Sequence, residues 1–295
     1  MSYNKNKRKQ PQKEQKYPLG LLLPIIAFLA IIPLITMMHQ YNTNLGQFEW
    51  YTTYTDFTDF FLYFKMVWII IACVYVLFCM AYLFFSAEKD PIWIKSLIPM
   101  AVYCGLALLS AIASKYSSFS FSGIFEQFES VWVLVGYGLM VYYSFFIMQN
   151  ESALKRTMNC FMIGIAIMAF LGLSQVFRHD FFQTGFGQSL IKPSTYTEEL
   201  VFNFEPGRPY MTLYNPNYVG FYVALTVPVL LTLLFAVKKI WQRIASALLI
   251  IAMLLILFGK FFYIDWFTVF QNNMCGFDLW HMCLKNFCGI VHRHR

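Results

Sequence analysis

Seven apolar stretches follow one another along this chain, separated by short polar segments. A helix of about 20 apolar residues crosses the hydrocarbon of a bilayer. In lipid every backbone N–H must be bonded within the spanning element, so such a stretch has to be helical. The stretches are Pro18–Met38, Phe61–Phe85, Leu97–Ala113, Val131–Met148, Met158–Val176, Asn217–Val237 and Ile244–Leu257. Their order predicts an all-α polytopic membrane bundle of six or seven transmembrane helices. The first stretch is longer than the apolar region of about 7–15 residues in a secretory signal, and no small-x-small site follows it, so it reads as a retained anchor.

Composition leads to the same place. The chain has 295 residues, of which 59% are hydrophobic and 13% charged. A soluble domain carries about 25% charged residues. Too few polar groups remain to cover a water-facing surface, so the lipid bilayer is the expected partner.

Charge sets the expected orientation. Six of the 22 Lys and Arg fall in the first 16 residues. With the N-terminus inside, segments 1–17, 86–96, 149–157 and 238–243 are cytoplasmic and carry 13 Lys and Arg, against 4 in 39–60, 114–130 and 177–216. Short inside loops carry the basic excess, so the N-terminus is expected to be cytoplasmic. Lys65, near one end of its stretch, is expected to snorkel outward. The basic tail 1–17 reads as a topogenic segment that meets anionic head groups. No nucleic-acid-binding fold accompanies it. The segment Ser118–Ser130 is aromatic and short, and is expected to lie along the interface.

Cysteine and histidine point to no metal and no disulfide framework. Cys73, Cys79, Cys104 and Cys160 lie in apolar stretches, where Cys acts as a small hydrophobe. Cys275, Cys283 and Cys288 sit eight and five residues apart, unlike zinc ligands paired about two to four residues apart. No cofactor is expected. Composition changes abruptly after Leu257, and two readings account for 259–295: a reading frame lost near Gly259, or a divergent interfacial tail. The core region is therefore taken as 18–258, with a long outer loop at 177–216.

That loop carries the chemistry, because a long non-spanning segment among short ones is where function tends to sit. Its last part reads EPGRPYMTLYNPNYVG, from Glu205 to Gly220. Asn215 and Pro216 form a helix-start signal: the amide caps a free N–H, and proline at the first position loses no bond. Arg208 beside a positive helix end suits an anion such as phosphate. Equally, Asn215 only caps and Arg208 only pairs with Glu205 or a lipid head group. His179 is expected to be an interfacial histidine held by Asp180.

The pattern Gly207-Arg208 followed by Asn215-Pro216-Asn217 and Gly220, with the train of aromatic-rich helices and GIAIMAFLGLSQ at Gly164–Gln175, resembles the N-terminal half of the O-antigen ligase and polymerase superfamily. The resemblance covers about residues 15–258. It implies a protein of cell-surface polysaccharide biosynthesis, in a bacterial plasma membrane, whose partner is a polyprenyl-pyrophosphate-linked glycan. It implies a metal-independent glycosyl transfer in which an acceptor hydroxyl attacks the sugar carbon and the pyrophosphate leaves. Arg208 would contact the pyrophosphate, and Asn215 and Asn217 would shape the cavity mouth. The later helices and catalytic His of that superfamily have no counterpart here, so no catalytic residue is carried over and the chain is expected to be inactive alone. A transporter or flippase, and a non-catalytic scaffold, are the rival classes.

Overall fold

The computed structural model describes residues 17–43, 46, 56–86, 91–123, 128–196, 200, 204 and 207–262. The basic tail 1–16, Glu198, Glu199, Glu205 and residues 263–295, with the three tail cysteines, lie outside them.

The described residues are mostly helical. Helix α1 (Leu19–Ile26) runs on through a π-helical turn, Ala27–Ile31, and a 3-10 turn, Ile32–Leu34. Pro33 has no N–H and cannot close the α-helical bond to the Leu29 carbonyl; the helix widens just before it. The stretch expected to be one helix to Met38 therefore ends at Leu34. A two-stranded antiparallel hairpin follows, β1 (His39–Asn42) with β2 (Asp56–Asp59), pairing His39 with Asp59 and Asn42 with Asp56. The sequence reading had no strand there.

Helices α2 (Tyr63–Ser86), α3 (Pro91–Ala113), α4 (Ser117–Ser122), α5 (Val131–Ile147) and α6 (Glu151–Val176) come next. Then follow a short α7 (Gly185–Ile191), α8 (Pro216–Ala236) and α9 (Ile240–Phe262). Among the described residues four helices are long and apolar enough to cross a membrane: Tyr63–Ser86, Glu151–Val176, Pro216–Ala236 and Ile240–Gly259. Three shorter apolar helices accompany them, at Leu19–Leu34, Ile98–Ala113 and Val131–Ile147. Helix α6 begins seven residues before the expected Met158, because Asn150 caps it by accepting the Ala153 N–H at 2.9 Å. Helix α9 extends past the expected Ile244–Leu257 at both ends, so the composition break at Gly259 is not a break in the helix.

Among the described residues two apolar cores lie within the bundle, and a third gathers Phe61, Leu171, Phe182, Ile191, Leu200 and Tyr210. Leu22 and Ile25 of α1, Val76 of α2 and Tyr143 and Ile147 of α5 form one. Ile165 and Met168 of α6, Val223 and Leu230 of α8 and Met253 and Ile256 of α9 form the other. The rest of the apolar surface faces outward: Phe78, Phe85, Leu225 and Phe235 are each at least 70% exposed. Only 17% of the α9 window and 22% of the α8 window is buried. Patches this large and apolar are not compatible with water and fit lipid.

The two ends of the bundle differ. At one end, Arg156 Nη2 donates to the Tyr17 carbonyl at 2.7 Å, Gln242 bonds Asn159 at 3.0 Å, and Lys155 pairs with Glu151. At the other, Met37 N–H donates to Phe60 O and Met38 N–H to Ile191 O, so the end of the first helix, the hairpin and α7 are tied together. The alternating order read from the sequence puts these same segments on one side.

Candidate functional site

The expected site segment, 207–217, lies at this second end and is fastened to three separate helices. Gln175, in the last turn of α6, is 4% exposed. Its Oε1 accepts the N–H groups of Tyr210 (3.0 Å) and Met211 (2.6 Å), and its Nε2 donates to the Met211 carbonyl at 3.2 Å. Thr212 Oγ1 donates to the Pro33 carbonyl at 2.6 Å. Lys65 of α2 donates to the Thr212 carbonyl. The ammonium thus docks on a backbone oxygen under the loop, where the sequence suggested an outward snorkel.

These bonds hold a backbone that would not otherwise persist. Met211 (φ 51°) and Tyr214 (φ 64°) are non-glycine residues in the left-handed region, at a cost of about 1–3 kcal/mol each. Gly207 (φ 79°) makes the first turn without that cost.

Aromatic packing closes the underside. The Tyr210 ring is buried, stacks on Phe204 at 4.0 Å between centroids, and meets the edge of Phe61 at 5.7 Å. Its hydroxyl donates to Asp180 Oδ2 at 2.6 Å. Burial pushes the Tyr210 phenol well above its ordinary range, and the Asp180 carboxylate pushes the same way. The phenol stays protonated and remains a donor. Asp180 also caps the short turn after it by accepting the Phe182 N–H at 3.0 Å. The expected pairing of Asp180 with His179 is not what the structure has: His179 Nδ1 lies 2.8 Å from the Phe177 carbonyl.

The three residues expected to bind substrate sit on the outer rim of this braced segment. Asn215 caps α8 by accepting the Asn217 N–H at 2.9 Å, as the Asn-Pro signal implied. Pro216 takes the first helical position. Asn217 is exposed at the start of the helix, and Arg208 is exposed between buried Gly207 and Pro209. One segment carries all three, and it is aimed by the buried run Tyr210–Thr212 between them.

A cleft of about 270 Å3 opens beside Asn215. Its walls include Thr58 and Asp59 of β2, Phe61, Phe204, Tyr214 and Asn215. Asp59 is 7% exposed, and its Oδ2 caps α2 by accepting the N–H groups of Leu62 (2.9 Å) and Tyr63 (2.8 Å). Sequence reading missed Asp59, Gln175 and Thr212. The available signal was a polar residue at the edge of a long apolar stretch, where an unpaired group is costly and therefore has a partner. Among the described residues no three His, Cys, Asp or Glu side chains are close enough together to hold a metal.

No family model matches the chain, and no curated protein or solved structure is significantly similar to it.

Proposed function

We propose that this is an O-antigen ligase- or polymerase-like protein of a bacterial plasma membrane, with six or seven of its apolar helices crossing. It binds a polyprenyl-pyrophosphate-linked glycan at the end formed by the 177–216 loop. The supporting observation is the braced loop: an exposed guanidinium and a capped helix N-terminus held in fixed relation on an otherwise greasy bundle. The positive end of the α8 dipole favours an anion there, and an Arg suits phosphate oxygens by its planar fork.

In the transfer that the resemblance implies, the sugar–oxygen bond to the pyrophosphate breaks as an acceptor hydroxyl bonds to the sugar carbon. Arg208 would balance the charge growing on the departing pyrophosphate. Donor binding alone is assigned to residues 208–217; the group that takes the hydroxyl proton is not.

Two measurements test this. Arg208→Ala in the full chain, reconstituted in nanodiscs, is expected to bind a polyprenyl-pyrophosphate-linked oligosaccharide about tenfold more weakly, the loss of one charge-assisted contact. Unchanged affinity removes Arg208 from the site. Separately, Ser194→Cys, at an exposed loop position, is expected to react with a membrane-impermeant maleimide in intact cells. Protection there, with labelling only after lysis, puts the loop in the cytosol and ends the glycan reading.

A flippase is the second reading, favoured by the broken first helix with its π turn at Ala27–Ile31, since interrupted helices are common in transporters. If Arg208→Ala abolishes lipid-linked glycan translocation in vesicles while leaving its binding intact, the flippase reading replaces the first.

A further inference from the structure

We infer that the cleft between β2 and the start of α8 seats a single neutral sugar ring, the sugar nearest the pyrophosphate of the bound lipid-linked glycan. The inference rests on the glycan-binding reading above, and assigns the sugar to Thr58, Asp59, Phe61 and Phe204, which that reading does not use, together with Tyr214 and Asn215 of its 208–217 segment.

Size comes first. Drug-sized ligands occupy sites of about 300–1,000 Å3. At about 270 Å3 this cleft falls just below that range and takes one ring-sized group. Its walls combine flat aromatic rings with a few polar groups. Phe204 is fixed by its stack on Tyr210 and by the edge of Phe61 at 6.5 Å. Tyr214 also meets Phe61, at 6.4 Å. Rigid rings present apolar faces at little entropic cost, and the C–H face of a sugar is the matching surface.

Charge then narrows the ligand. Asp59 is the one ionisable side chain among the described wall residues that is acidic, and an anion would be repelled by it. A cation would find a single carboxylate, already committed to capping α2 through the Leu62 and Tyr63 N–H groups, among otherwise uncharged walls. What remains is a neutral donor of hydrogen bonds. Among the described residues, the hydrogen bonds to Asp59 all go to Oδ2, which leaves Oδ1 for a hydroxyl. A charge-assisted bond of that kind is about twice as strong as a neutral one. Thr58 and the Asn215 side chain add neutral polar partners. Asn215 also belongs to the α8 N-terminus, so a sugar in the cleft would place its pyrophosphate at the helix end.

Three ligands and two variants of the full chain in nanodiscs test this. The ligands are a polyprenyl-pyrophosphate-linked oligosaccharide, sugar-free polyprenyl pyrophosphate, and the free oligosaccharide followed by saturation-transfer NMR. Asp59→Asn keeps an oxygen to cap α2, and Phe204→Leu keeps an apolar wall without the flat ring. Each is expected to weaken the glycan-bearing lipid about tenfold, as one lost contact would, and to leave the sugar-free lipid unchanged. Equal weakening of both lipids, or no weakening of either, overturns the sugar cleft while leaving donor binding in place. If the wild type binds neither lipid, the donor reading fails; the cleft then stands only if the free oligosaccharide shows saturation transfer that Phe204→Leu removes, and falls if it does not.

Discussion

Replacing Gln175 by Leu is expected to lower stability by about 2–5 kcal/mol and to free the 207–215 loop from the bundle. Leucine has nearly the same volume, so packing against α6 is kept and the effect is polar. The amide oxygen accepts two adjacent backbone N–H groups, from Tyr210 and Met211, and the amide nitrogen reaches back to the Met211 carbonyl. All of these groups are buried, and Met211 is fully so. Leaving a buried donor without a partner costs about 1–3 kcal/mol each. The left-handed backbone at Met211 then has nothing to hold it. Thermal unfolding in detergent would measure the loss, and hydrogen exchange would locate it. Exchange at 207–215 should rise by orders of magnitude while α2 and α5 keep their protection. A leucine variant with wild-type loop protection would mean that Gln175 does not position the site. Because Arg208 and Asn215 flank the segment that Gln175 fixes, donor binding should weaken in the same variant without any change to a group that touches the ligand.

The second large effect is expected where the first helix crosses α6. At Gly164 an added Cβ would stand 2.8 Å from the Ala30 Cα and 3.0 Å from the Ala30 carbonyl oxygen. Those are backbone atoms and cannot turn aside as a flexible side chain would. Ala30 belongs to the π-helical turn, so the close approach is made by the irregular part of the first helix. Small residues at such crossings let membrane helices pack backbone to backbone. Gly164→Ala should cost about 1–3 kcal/mol, the range for overpacking a filled core. Gly164→Leu should cost more, separating the first helix from α6 and carrying away the Pro33 carbonyl on which Thr212 is anchored. The readout is the unfolding midpoint of the two variants against Gly105→Ala. Nothing lies within 4 Å of an added Cβ at Gly105, so that helical site has space for it. Equal midpoints for Gly105→Ala and Gly164→Ala would show that the crossing tolerates a wider spacing.

The candidate site was legible only in part. The cap at Asn215 and the helix start at Pro216 could be read because capping is local: the amide reaches a backbone N–H two residues away, and proline's missing donor costs nothing there. Arg208 was singled out from its place just before that helix start, and the structure has it exposed. The partners of the loop could not be read. Gln175 lies 35 residues before Tyr210, and Lys65 lies 147 before Thr212. In sequence each is a lone polar residue at the edge of an apolar stretch, and several such residues are present. Asp59 was given no role within the outer segment 39–60, whereas it caps α2 and walls the cleft.

Hydrophobic runs fixed the element type and the order of the helices, since a run of that length in lipid has one low-energy backbone arrangement. Basic residues marked one end of the bundle. The meeting of helix ends was decided by packing. The π turn that brings Ala30 against Gly164, the hairpin that carries Asp59 to Asn215, and the Gln175 clasp on a strained backbone all join residues far apart in the chain. Their energy comes from burying polar groups together, and no local pattern encodes which groups will meet.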